Sequence, residues 1–87
     1  MSVTYNRTFK KQFQKAPSYI KEAFRERMRH FLGDPFHPLL NTHQLKQEWR
    51  DHRSINVTGD WRAIYFPFTD THIEFRAIGT HSQLYKR

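Results

Sequence analysis

The hydrophobic period of this chain changes once, and the change divides it into a helical half and a strand half. Between Arg7 and Lys15, Phe9 and Phe13 stand four apart on a basic segment, the spacing of one helical stripe. Ala16-Pro17-Ser18 interrupts that stripe, and Pro17 suits the first turn of a second helix. The second helix runs to about Leu32. Ile20, Phe24, Met28 and Phe31/Leu32 form one face, with Lys21, Glu22, Arg25, Glu26, Arg27 and Arg29 outside, and Gly33 is a C-terminal stop. Asp34 to Thr42, with Pro35 and Pro38, reads as a loop leading to His43-Gln44-Leu45-Lys46. From there the period is two. Trp49 and then Arg53-Ser54-Ile55-Asn56-Val57 alternate as a strand, Trp61 to Phe66 is the next, and His72 to Ile78 the one after. Turns are expected at Thr58-Gly59-Asp60 and at Pro67 to Thr71. Val3-Thr4-Tyr5 is a short β-prone opening, and the last seven or eight residues are expected as a short strand or turn.

The predicted architecture is α+β. An N-terminal strand precedes a two-helix hairpin, which packs on one face of a three- to four-stranded, mainly antiparallel twisted sheet. The Phe/Met stripe of the second helix is expected to be buried on that sheet rather than to form a binding groove. No linker, repeat or low-complexity segment divides the chain, so residues 1–87 are expected to form a single domain.

Composition narrows the function classes. A chain of 87 residues supports one small core. Fifteen Lys and Arg against eight Asp and Glu give a net charge of +7, which suits a polyanionic partner: RNA, DNA, a ribosome or an acidic protein. The absence of cysteine excludes disulfides and thiolate-metal sites and fits a reducing compartment. The histidines form no familiar ligand spacing, so no metal is expected. No apolar run approaches the ~20 residues of a membrane helix, and Met1-Ser2-Val3-Thr4-Tyr5 has no signal-peptide pattern, so a cytoplasmic location is expected.

The candidate chemistry gathers in the last third. Gly59 to Tyr65 and Ile73 to Tyr85 carry an Asp, a His, two Arg and a terminal Tyr on a β-branched and aromatic frame. Titratable groups at the ends of rigid strands are where active sites are built.

Arg53-x-Ile55-x-Val57-x-Gly59-Asp60-Trp61-Arg62-x-Ile64-Tyr65, after a strand and two helices, resembles the RelE/ParE superfamily of bacterial toxins. Phe9-Lys10-Lys11 and Asn41-Thr42-His43-Gln44-Leu45-Lys46 fit the same pattern, so the likeness spans essentially the whole chain. The closing Gly79-Thr80-His81-Ser82-Gln83-Leu84-Tyr85 resembles the Gly-Thr-His-x-x-Leu-aromatic ending of the YafQ-like mRNA interferase branch. The resemblance implies a toxin that cleaves ribosome-bound mRNA without metal or cofactor and is neutralised by a co-expressed antitoxin. It also implies DNA contact only through the toxin–antitoxin complex. The high positive charge suits an acidic antitoxin segment that folds on binding. The same Gly-Asp-aromatic-Arg core occurs in gyrase-binding members, so a non-enzymatic toxin is the alternative. A member acting mainly through its antitoxin complex is another.

Metal-free RNA cleavage needs proton transfer at the 2′-hydroxyl and the 5′-oxygen, and charge stabilisation at the phosphate. His81 is the first candidate acid or base, because histidine titrates near working pH; the alternative is a hydrogen-bonded surface histidine. His43 is the second, at the start of a strand. Asp60 could accept the 2′-OH proton or orient a histidine, or bond local amides in its turn. Tyr85 could stack a base or pack on the sheet. Arg62, Arg76, Lys46 and Arg53 are candidates for phosphate contacts, with Lys10, Lys11, Lys15 and Arg50 outside the site. Trp49 and Trp61 could stack on bases, with sheet packing the alternative. Asn56 marks a departure: YafQ carries a histidine four residues before its Gly-Asp aspartate. His52 is close in sequence but out of register.

Overall fold

The last strand organises the molecule. In the computed structural model, which describes residues 1–85, strand β5 (His72–Thr80) pairs with β1 (Ser2–Tyr5) on one side and β4 (Trp61–Pro67) on the other. Beyond β4 lie β3 (Arg53–Asn56) and the two-residue β2 (His43–Gln44), giving the order β1-β5-β4-β3-β2. The β1–β5 pair is parallel, with Val3 opposite Ile73 and Tyr5 opposite Phe75, and the other three pairs are antiparallel. The sheet is therefore five-stranded and mixed, rather than three- to four-stranded. A parallel pair needs a long connection: here the two helices lead from β1 to β2 at the opposite edge, and β3 and β4 lead back to β5.

Helix α1 (Arg7–Lys15) starts where the Asn6 side chain accepts a 2.8 Å hydrogen bond from the Phe9 amide. Helix α2 (Ser18–Gly33) follows Pro17 and buries Ile20, Phe24, Met28 and Phe31. These side chains meet Ile55, Val57, Ala63, Tyr65, Ile73, Phe75 and Ile78 in one core. Phe24 stands edge-on to Phe75 at 5.3 Å between centroids, and Phe31 edge-on to Tyr65 at 5.1 Å. Burying one such ring stabilises by roughly 1.5–3 kcal/mol, so this helix–sheet layer dominates the fold's energetics. Beyond the end of β1, the Ile78 amide donates to Gln12 Oε1 of α1 at 2.9 Å, satisfying a sheet group that no strand reaches.

The second face of the sheet carries the alternate residues: Ser54 and Asn56 of β3, Arg62, Ile64 and Phe66 of β4, and Ala77 and Gly79 of β5. Ser54, Ile64 and Ala77 are buried although they lie outside the helix-side core. A register shift at Ile64/Tyr65 pairs Ile64 with Ala77 and Tyr65 with Phe75, leaving Arg76 unpaired in a bulge. Trp49 sits in a 3₁₀ turn (Gln47–Trp49) before β3 rather than opening that strand. The chain after β5 is neither a strand nor a simple turn but a one-turn helix, α3 (His81–Leu84). No helix among the described residues is long and apolar enough to cross a membrane.

Candidate active site

Sequence sets the start of α3 tightly. Thr80 is its N-cap, accepting from the Gln83 amide, while Gln83 Oε1 accepts from the Thr80 amide at 2.8 Å. This is a reciprocal capping box. Gly79 makes room for it: a Cβ built at Gly79 would lie 2.9 Å from Gln83 Oε1. The His81 amide then donates to the Asp60 carbonyl at 2.9 Å, tying the helix start to the β3–β4 turn. The capping box thus fixes where His81 leaves the sheet.

His81 is exposed, and its ring stands against Tyr85, with centroids 4.7 Å apart and planes at 63°. The Tyr85 hydroxyl is buried without a hydrogen-bond partner. Trp49 Nε1 donates to the Leu84 carbonyl at 3.0 Å, joining the loop before β3 to the end of α3. Both tryptophans thus pack as well as lining this region: Trp61 lies against the helix-side core, and Trp49 spans the second face.

On the sheet, Asn56 lies opposite Arg62, and Arg62 opposite Gly79, two residues before His81. The Asn56 Oδ1 atom is buried and unpartnered. Arg62 Nη1 donates to the carbonyls of Thr58, Gly59 and Trp61 at 3.2, 3.0 and 3.3 Å, so one guanidinium nitrogen is used to hold the turn that carries Asp60. The Asp60 side chain is exposed.

His43 occupies the far margin. It pairs with Ser54, which is opposite Ile64, which is opposite Ala77. Three strand spacings, roughly 14 Å, separate it from the β5 column that leads to His81. His43 Nδ1 lies 2.9 Å from the Asn41 carbonyl, which requires a proton on Nδ1 and leaves Nε2, 3.3 Å from Ser54 Oγ, as the acceptor in the neutral ring. The structure therefore brings His81, Tyr85 and the Asp60 backbone together and sets His43 across the face from them.

The remaining candidates divide. Arg76 pairs with Glu74 at 2.9 Å and lies over Phe66. Arg53 belongs to the helix side, with its guanidinium 5.2 Å from the centre of the Phe36 ring and beside the Tyr65 hydroxyl. Burial pushes the Tyr65 phenol above its ordinary value, and Arg53 offsets this only partly. Lys46 is exposed at the start of the 3₁₀ turn. His52 Nδ1 lies 3.0 Å from the Arg50 carbonyl, and its ring is edge-on to Trp49 and Phe66. No group of three or more His, Cys, Asp or Glu among the described residues could hold a metal ion. Reading the sequence missed Gln83, although Thr80-x-x-Gln83 is a capping-box signature, and missed the aromatic pair Phe66 and Phe68 at the other end of β4.

A helical hairpin laid on a five-stranded mixed sheet whose first and last strands pair in parallel is the architecture of RelE/ParE-type toxins. Within that class the chain belongs to the YafQ family, bacterial toxins of type II toxin–antitoxin systems, whose family model matches residues 1–86. Among solved structures it is similar to YafQ from Escherichia coli BL21(DE3), with a TM-score of 0.81 at 24% identity over 97% of each chain. It is also similar to a chain of the E. coli DinJ–YafQ toxin–antitoxin complex, at a TM-score of 0.75 and 25% identity over 97% of this chain and 96% of that one. A YoeB/ParE toxin from Agrobacterium tumefaciens gives 0.76 at 18% identity, over 93% of this chain and 99% of that one. Comparison with curated proteins returned no match.

Proposed function

We propose that this protein, acting as one toxin domain, is a ribosome-dependent endoribonuclease that cleaves mRNA by metal-free acid–base chemistry. The carrying observation is the His81–Tyr85 pair, held by a capping box at a strand end and tied to the turn that carries Asp60. In the proposed reaction a base takes the 2′-OH proton and the oxygen attacks the adjacent phosphorus. The P–O5′ bond breaks as an acid protonates the leaving oxygen, giving a 2′,3′-cyclic phosphate and a 5′-hydroxyl. His81 serves one of these proton steps and Tyr85 sets its ring or stacks a base. Asp60 and His43 are the candidates for the other step. The nitrogens of Arg62 not used by the turn could face phosphate.

The partner follows by the same logic. The E. coli YafQ structure is known as a complex with its antitoxin DinJ. A chain of charge +7 suits an acidic antitoxin that orders on binding. DNA is reached only through that complex.

The test is inducible expression followed by primer extension on a cellular mRNA. Wild type is expected to cut at ribosomal positions, and His81→Ala to lose about 10²-fold or more with the fold intact. Undiminished cleavage by His81→Ala sinks the assignment, and replication arrest without mRNA cuts identifies a gyrase-binding toxin instead.

A further inference from the structure

A row of aromatic rings leaves the site and runs toward the β4–β5 hairpin. Trp49 meets His52 at 5.2 Å between centroids, His52 meets Phe66 at 5.2 Å, Phe66 meets Phe68 at 5.2 Å, and Phe68 meets His72 at 4.8 Å. At the near end Trp49 is bonded to Leu84, the neighbour of Tyr85. Arg76 lies 4.7 Å from the Phe66 ring centre and 5.4 Å from that of Phe68. The inner rings cover the sheet. Phe68 does not: it lies outside the core and is 46% exposed. Phe68 therefore offers a ring to solvent at the end of a connected aromatic row, beside the Arg76 guanidinium.

We propose that this row is a stacking track for single-stranded RNA, taking the unpaired nucleotides that flank the step cleaved at His81. The occupant follows from three observations. The row is continuous with the proposed site through Trp49. The chain carries an excess of seven positive charges. Aromatic faces beside a guanidinium accept any base, because every base has a π-face. Glu74 is part of the arrangement: its carboxylate neutralises Arg76 at 2.9 Å and holds the guanidinium against the rings. The track therefore recognises bases more than phosphates. An acidic peptide would find no net positive charge at the Arg76–Glu74 pair, whereas nucleobases need none. Its use in cleavage rests on the nuclease reading above, but its binding of RNA does not.

Binding is measured with the full chain carrying His81→Ala, to prevent cleavage, and a labelled unstructured oligoribonucleotide of about ten nucleotides, alone and as a duplex. Phe68→Ala is expected to weaken single-strand binding by at least about fivefold, and Phe68→Trp to retain it. Because the contribution is stacking, Phe68→Ala leaves the slope of log K against log salt unchanged and does not affect the duplex. Thermal melting of Phe68→Ala, an exposed position, checks the fold. Absence of single-strand binding by the Phe68-containing protein, equal binding by Phe68→Ala, or equal losses on single strand and duplex overturns the proposal. A protein that binds through Phe68 yet cuts no mRNA keeps the track and loses the nuclease reading. One that cuts mRNA but ignores Phe68→Ala does the reverse.

Discussion

The rings of His81 and Tyr85 meet edge to face at 4.7 Å because α3 places residues four apart on one side of a single turn. The contact restrains the His81 ring, while the Tyr85 hydroxyl makes no hydrogen bond. Tyr85→Phe is therefore expected to keep cleavage within about threefold and to leave stability equal or slightly higher. Tyr85→Ala is expected to lose about tenfold or more in cleavage rate, because the histidine loses its support. Cleavage rates and thermal melts of the two variants separate ring from hydroxyl, and equal losses in both would mean that the hydroxyl itself acts.

Gly79→Ala probes the capping box. The added methyl group meets Gln83 Oε1, a movable side-chain end, so the amide swings away and the Thr80 amide loses its acceptor. A loss of about 0.5–2 kcal/mol is expected, with Gln83→Ala giving a similar value and the double variant little more. Denaturant unfolding measures all three. Additive losses would show that the two residues act independently.

Asn56 lies opposite Arg62 beside the turn that carries Asp60, and its Oδ1 is buried without a partner. An acceptor in that state costs stability, so Asn56→Ala is expected to leave the unfolding free energy equal or to raise it by up to about 1 kcal/mol. Asn56→His places a second titrating ring opposite Arg62 and is expected to raise cleavage by about tenfold, with a new limb in the pH–rate profile near 6.5. A flat response in rate and profile would remove Asn56 from the chemistry.

Tyr65 and Tyr5 give the fold an alkaline limit. Burial raises both phenols. The raised folded-state value means that stability is fully present below the ordinary value of about 10 and is lost as pH rises from there through the folded value, since the unfolded phenol ionises first. Tyr65→Phe removes one such group, and its hydroxyl has no hydrogen bond of good geometry to lose. The variant is expected to match wild type near neutral pH and to be the more stable of the two at about pH 11. Urea unfolding at both pH values checks this, and a larger alkaline loss in the variant would contradict it.

The parts of the fold written in local period were readable from the chain. Phe9/Phe13, the Ile20–Phe31 stripe and the alternation through β4 and β5 all lie where their spacing places them. What period cannot express is pairing between distant segments. The parallel match of Val3 with Ile73 joins residues 70 positions apart, and β2 is only two residues long, so neither the strand count nor the mixed character follows from alternation. The one-turn helix α3 escaped for the opposite reason. It is too short for a period, and its only signal is the Thr80-x-x-Gln83 cap. At the site, residue types were legible but distances were not. His81 and Tyr85 are neighbours by helix geometry, whereas the separation of His43 from them depends on three strand registers. The bulge at Ile64/Tyr65, which leaves Arg76 unpaired beside Phe66, is a property of two strands together and of neither sequence alone.

The position of β5 also sets an order of events during synthesis. It is the last strand to leave the ribosome, yet it is the one that joins β1 and the helices to the rest of the sheet. Until it emerges, β1 has no strand to pair with and the aromatic rings of α1 and α2 lack Phe75. Such a late, long-range closure delays folding until β5 has been made. The ring contacts of α1 and α2 with Phe75 and the β1–β5 pairing thus form together, as one closing step.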